Sequence, residues 1–119
     1  MIDKDKLHTA FEQFNVCSPL FIALGDSVRQ KIILDLADAG IAGINVGNLT
    51  AKSHLSRPAI SHHLKVLKET GIVQLTKKGT ESFYRLCIAD KLSHVKKLVG
   101  CIENIIADMN DEEKSILLN

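Results

Sequence analysis

The stretch from Leu55 to Val73, LSRPAISHHLKVLKETGIV, constrains this chain more than any other: it allows one short helix with a buried stripe, a cationic face and a fixed end. Ile60, Leu64 and Leu67 recur at helical spacing, while Arg57, Ser61, His62, Lys65 and Lys68 fall largely on the other side. Ser56 can accept a hydrogen bond from a free amide of the first turn, and Pro58 is tolerated early in a helix. Gly71 supplies the left-handed residue that ends it. Such a helix can be held by a core and still offer its outer face.

The flanking segments give this helix a context. Upstream, Asn45 to Ser53 reads as a short helix with Val46 and Leu49 inward, followed by a tight connection through His54 and Leu55. Downstream, Ile72 to Lys77 and Ser82 to Cys87 are strand-like runs around Lys78, Gly79 and Thr80, a hairpin with a basic tip. Helix, turn, helix and hairpin compose a winged helix, in which the second helix enters a major groove and the hairpin lies along the adjacent backbone or minor groove. The expected fold class is therefore mainly α with a small β-hairpin.

The whole chain carries a net charge of only +1, but the charge is unevenly placed. Residues 57–80 hold Arg57, Lys65, Lys68, Lys77 and Lys78 against Glu69 alone, a local balance of +4. The segments on either side are slightly acidic. Concentrating cations on the reading element is what a phosphate-contacting surface requires. The competing reading is a solvated helix face beside a lysine-protected edge hairpin.

At 119 residues and 45% hydrophobic content the chain suits one domain, expected over residues 1–109 with 110–119 as a tail. Its four Phe, one Tyr and no Trp call for a mostly aliphatic core. No apolar run of membrane-spanning length and no signal-peptide pattern appears, so a cytoplasmic location without membrane contact is expected. Cys17, Cys87 and Cys101 show neither CxC nor CxxC spacing, which suggests reduced thiols rather than a disulfide framework or zinc knuckle. No cofactor is indicated.

Three helical pieces are expected in the N-terminal third. The first, Asp3 to Asn15, places Leu7, Phe11 and Phe14 on one face. Ser18 then caps a new turn with Pro19 at its first position, running to the break at Gly25 and Asp26; the third piece is Ser27 to Ala39, ending at Gly40. Residues 41–46 could add a short strand beside the wing. Near the other end, Leu92, Val95, Val99, Ile102, Ile106 and Met109 are separated by 3, 4, 3, 4 and 3 residues on a helix expected from Asp90 to about Met109. This seam suits a partner helix. With the Leu7/Phe11/Phe14 face it predicts a homodimer, whose two reading helices would meet half-sites about one DNA turn apart in an inverted repeat.

In combination, LFIALGDSVRQKIILDL at residues 20–36, the reading helix and FYRL at residues 83–86 resemble the ArsR/SmtB type of bacterial winged-helix repressors. The resemblance spans roughly residues 7–105. It implies a homodimer joined through its first and last long helices that binds double-stranded operator DNA and releases it when an inducer acts. Ser56, Arg57, Ser61, His62 and Lys65 match the reading-helix positions of that family, and Lys77, Lys78 and Thr80 match its wing.

The departures concern metal. Metal-sensing members carry a Cys-x-Cys box before the reading helix, whereas INVGNL at residues 44–49 has no thiol. The other familiar site needs an Asp-x-His pair on the last helix and a second His further along. Here Asp90 lies four residues before His94, and the place of the second His, eleven residues on, is Ile105. A tetrahedral shell cannot be filled from these residues, so no metal site is expected. His62 and His63 point about 100° apart on one helix and cannot share an ion; His63 reads as an edge-of-core residue. Cys17 and Cys101, on or beside the interface-forming helices, are candidates for redox sensing, with inert packing as the alternative. A small-molecule or redox inducer is thus expected, unidentified in kind.

Enzymatic chemistry finds no support. No Gly-rich phosphate loop, paired carboxylates or nucleophile elbow appears, and Ser61 beside His62 on one helix is a poor triad geometry. The residues therefore point to a dimeric DNA-binding transcription regulator, with a winged helix used only for protein contacts as the alternative.

Overall fold

A computed structural model describes residues 2–118. The described helices are α1 (Lys4–Leu24), α2 (Ser27–Ala39), α3 (Val46–Ala51), α4 (Arg57–Glu69), α5 (Ala89–Ala107) and α6 (Asp111–Leu118). A 3-10 turn at Gly40–Ala42 leads into strand β1 (Ile44–Asn45); β2 (Val73–Lys78) and β3 (Glu81–Leu86) follow α4. The described residues fall into two compact units, 2–18 with 92–118 and Pro19–Lys91.

The Pro19–Lys91 unit is a winged helix. Its core is aliphatic: Leu36, Leu49, Ile60, Leu64, Leu67 and Ile72 are all buried. Burying such a side chain contributes roughly 1.5–3 kcal/mol, so the α4 stripe by itself fixes which face of that helix turns outward. Local chemistry sets the boundaries. Asp26 caps α2 by accepting hydrogen bonds from the amides of Val28 at 2.8 Å and Arg29 at 3.1 Å. Asn45 caps α3 through the Asn48 amide at 2.8 Å, and the Ser56 hydroxyl accepts from the Ala59 amide at the start of α4. At the other end of α4, Gly71 has φ +82°, and the Ile72 amide reaches back to the Leu67 carbonyl at 3.0 Å, closing the helix as a Schellman turn.

The sheet is antiparallel, in the order β1-β3-β2. The hairpin register pairs Lys77 with Ser82 and Lys78 with Glu81, and Ile44 pairs with Tyr84 across β1 and β3. Gly79, φ +64°, occupies the first turn position and Thr80 the second, the arrangement of a type II′ hairpin. The strand expected within residues 41–46 is present, short as it is.

In the unit built from residues 2–18 and 92–118, Ala10, Gln13, Cys17 and Leu98 are buried. Lys6 donates to Asp108 at 2.7 Å, and the Asp3 amide donates to the same carboxylate at 3.1 Å. Residues 110 onward, expected as a tail, begin with a cap: Asn110 accepts from the Glu113 amide at 2.8 Å and donates to the Glu113 carboxylate at 3.0 Å. Asn119, the last residue of the expected tail, lies outside the described residues.

Two sequence expectations need correction. Ser18 does not begin a new helix: α1 runs unbroken through Pro19, and the Ser18 hydroxyl donates to the Phe14 carbonyl at 2.8 Å. An interior proline costs about 3 kcal/mol, but buried residues on both sides of it, Ala10 and Cys17 before and Leu20 and Ala23 after, hold the helix together. Met109 is not on the helix expected from Asp90, since α5 ends at Ala107 and the chain turns through hydrogen bonds from Asp108 to Ile105 and from Met109 to Ile106. The 3-4 spacing continued by one step past the place where Asp108 is drawn into its pair with Lys6.

Candidate nucleic-acid interface

The reading element is positioned from both ends. Its inward stripe, Ile60, Leu64 and Leu67, is buried, while Ser56, Arg57, Ser61, His62, Lys65 and Lys68 are all exposed. Each of these six side chains, expected to meet DNA, is thus accessible. Lys65 lies 3.9 Å from Glu69 one turn on, an exposed i,i+4 pair that leaves the ammonium free to exchange partners.

Behind this face, Arg29 joins three elements. Its Nε donates to the Ala23 carbonyl at 2.7 Å and its Nη2 to the Ile22 carbonyl at 3.0 Å, closing the end of α1; Nη1 lies 3.4 Å from His63 Nδ1 on α4. Gln30 adds a bond to the Leu24 carbonyl at 2.8 Å. Asp26, at the head of the same corner, has its carboxyl pKa lowered, first by the hydrogen bond from the Arg29 amide and then by that of Val28 and the nearby Arg29 charge. These groups give the Gly-Asp-x-x-Arg segment a mechanical role. His63 is half-buried, as its place at the edge of the stripe predicts.

The wing separates residues that sequence reading had grouped together. Side chains alternate along a strand, so Lys77, opposite Ser82, and Lys78, opposite Glu81, leave on opposite faces. Lys78 Nζ sits 5.4 Å from the centre of the Phe83 ring, a cation–π contact on the face away from Ser82 and Tyr84. On that far face Arg85 holds Gln74, and its buried Nε has no hydrogen-bond partner among the described residues. Thr80 is exposed at the tip.

Between the start of α4, the first turn of α3 and the wing lies an open polar cleft of about 470 Å³. Arg57 and Thr80, both expected to contact DNA, line it together with Asn48, Glu81, Ser82 and Tyr84, which sequence reading did not select. Period-two alternation from Lys77 would have found Ser82 and Tyr84; nothing in the linear pattern brings Asn48 there. The cleft presents hydroxyls, a carboxamide and a guanidinium, groups that bind phosphate oxygens and base edges rather than apolar ligands.

Among the described residues no three His, Cys, Asp or Glu side chains gather so as to hold a metal ion, and no helix is long and apolar enough to cross a membrane. In the other unit, Leu7, Phe11, Phe14, Leu92 and Val99 are exposed, and Val95, Ile102 and Ile106 are half-buried. Cys17 is buried; Cys101 is half-buried in the wall of a cavity of about 220 Å³ that Lys6 and Asn104 also line. Cys87 donates from Sγ to the Gly71 carbonyl at 3.2 Å.

Comparison with known proteins agrees with this geometry. Residues 26–74, from the Asp26 cap through α4 to the first strand of the wing, match the family model described as bacterial regulatory protein, arsR family. The chain is 35% identical over 88 residues to an HTH-type transcriptional regulator of Methanocaldococcus jannaschii, covering 74% of this chain and 96% of that one. It is 36% identical over 67 residues to the transcriptional repressor SdpR of Bacillus subtilis, covering 56% of this chain and 71% of the repressor. Among solved structures, an ArsR-like transcriptional regulator from Rhodococcus sp. superposes with a TM-score of 0.66 at 26% identity, over 84% of this chain and 98% of that one.

Proposed function

This chain belongs to the ArsR family of bacterial regulatory proteins, DNA-binding transcriptional regulators rather than enzymes, and from that premise we propose that it is a homodimeric repressor of an inverted-repeat operator. One observation carries the reading: α4 buries Ile60, Leu64 and Leu67 and leaves Arg57, Ser61, His62 and Lys65 exposed on the opposite side. In the proposed complex Arg57, Ser61 and His62 meet base edges in the major groove. Ser56, Lys65, Lys68, Lys77 and Lys78 contact phosphates, and Thr80 leads the wing toward the adjacent groove.

Dimerisation is supported by the exposed apolar side chains of Leu7, Phe11, Phe14, Leu92 and Val99, five large groups concentrated in one unit. In the proposed dimer Val95, Ile102 and Ile106 complete that surface. Met109 can contribute only from the turn beyond α5. The two-fold axis of such a pair makes operator palindromy a geometric consequence.

The proposed inducer is thiol-reactive and acts at Cys101, the more accessible of the two interface cysteines, with Cys17 as a buried second thiol. Modification at Cys101 would alter how the helices of the pair dock and hence the half-site spacing. Native thiol titration tests this arm: a Cys101 that stays unreactive in the free protein removes it. Selection of bound fragments from random DNA tests the main reading. An inverted repeat with half-sites about one turn apart supports it; recovery of sequences without symmetry contradicts it.

A further inference from the structure

The wing has a second face, opposite Ser82 and Tyr84. Cross-strand pairing puts Gln74, Thr76 and Lys78 of β2 on it with Glu81, Phe83 and Arg85 of β3. Two cavities meet there, because Ile41 and Arg85 line both. One, of about 270 Å³, adds Thr76, Lys78 and Phe83; the other, of about 360 Å³, is walled by the apolar side chains of Leu36, Ala37 and Leu86.

The charge at this junction is uncompensated. Arg85 Nη2 donates to Gln74 Oε1, but Nε has no hydrogen-bond partner among the described residues, so the guanidinium fork is not saturated. Lys78 Nζ lies over the Phe83 ring. Among the described residues no carboxylate, Glu81 of the same face included, comes within 4.0 Å of either cation. Beside them Ile41 is 88% exposed. Single exposed apolar side chains are common on proteins, but this one walls two cavities next to two unpaired cations.

We propose that the two cavities form a binding site for a small amphipathic carboxylate of the medium-chain fatty-acid class. Its carboxylate takes the Arg85 fork, in the cavity that also holds the Thr76 hydroxyl and the Lys78 ammonium, and its tail runs along Ile41 into the Leu36/Leu86 cavity. A short acid satisfies the cations and leaves the apolar cavity empty; an alcohol fills that cavity and leaves the charge unpaired. An aliphatic acid does both. The site is separate from Cys101, which belongs to the other unit. Its effect on regulation rests on the DNA-binding reading above: the proposed complex uses Lys78 for phosphate, so a bound carboxylate lowers operator affinity, and operator lowers carboxylate affinity by the same factor.

Octanoate is the probe, with octanol and acetate as controls, followed through the amide chemical shifts of the whole chain without DNA. Wild type should bind octanoate with a dissociation constant of about 1 mM or tighter, and the two controls about ten-fold more weakly. The shifts should centre on Ile41, Gly43 and Arg85. Arg85→Gln should weaken octanoate about ten-fold. Ile41→Ser, a change at a side chain outside the core, should weaken it about three-fold at an unchanged thermal midpoint. Octanol binding as tightly as octanoate, or octanoate shifts that persist in both variants or fall only on the other unit, overturns the site. Octanoate should also weaken operator binding about three-fold in wild type and not in Arg85→Gln, and an operator affinity indifferent to bound octanoate overturns the coupling. Failure of the DNA-free titration leaves the regulator reading standing, whereas loss of preference for operator over random DNA removes that reading and leaves the carboxylate site.

Discussion

Arg29 Nη1 lies 3.4 Å from His63 Nδ1, so the reading helix is tied to the corner where α1 gives way to α2. A guanidinium can only donate, which makes Nδ1 the acceptor and places the proton of a neutral imidazole on Nε2. The same side chain closes α1 through the Ala23 and Ile22 carbonyls. Arg29→Ala should therefore destabilise the fold by roughly 1–3 kcal/mol, read as a lowered urea midpoint at unchanged slope. Arg29→Lys should recover little, because a single ammonium cannot span the three acceptors.

Asp26 links the same corner to pH. Its folded pKa is lowered below 3.8, first by the Arg29 amide, so its contribution is complete above that value and is lost as pH falls through the folded pKa. Asp26→Asn should flatten the decline of stability below pH 3.8 relative to wild type and lose stability at neutral pH. Chemical denaturation at a series of pH values measures both effects.

Gly43 approaches β3 too closely for any side chain. Its φ is +74°, and a Cβ there would stand 2.7 Å from the Tyr84 carbonyl oxygen. Gly79 shares the backbone sign at φ +64° but faces open space. Gly43→Ala should cost roughly 2 kcal/mol or more and Gly79→Ala about 1 kcal/mol, the difference reporting the steric part. Thermal unfolding of the two variants side by side separates them.

Lys65 and Arg57 should fail in different ways on DNA. Lys65→Ala should weaken operator and random sequence alike and lower the salt slope by about one ion. Arg57→Ala should cost about 1–3 kcal/mol on the operator and relax the preference at one position. Titrations across a range of salt concentrations distinguish these outcomes; an equal loss on both DNAs for Arg57→Ala would move it to the phosphate contacts.

Periodicity and caps made much of the winged helix legible. The Ile60/Leu64/Leu67 stripe, the Ser56 cap and the Gly71 stop each act locally, and local causes survive in sequence. Pro19 misled because its local penalty is outweighed by the burial of residues on either side, which a linear reading does not weigh. Met109 misled because spacing carries no sign of the Lys6–Asp108 pair near which α5 stops. The cleft was hidden for a third reason: Asn48 comes from α3 and Tyr84 from β3, two segments that only the fold brings together with Arg57. Lys77 and Lys78 show the converse, neighbours in sequence that the strand sends to opposite faces.

The central proposal is that two α4 helices, one per protomer, enter successive major grooves on one side of a duplex. Inserting five base pairs between the selected half-sites turns one of them by about half a helical turn while leaving every base contact available. The account predicts a fall in affinity to nearly that of random DNA, with binding restored by a ten-base-pair insertion only if the linkage between protomers can stretch. Affinity unchanged by the five-base-pair insertion would contradict it.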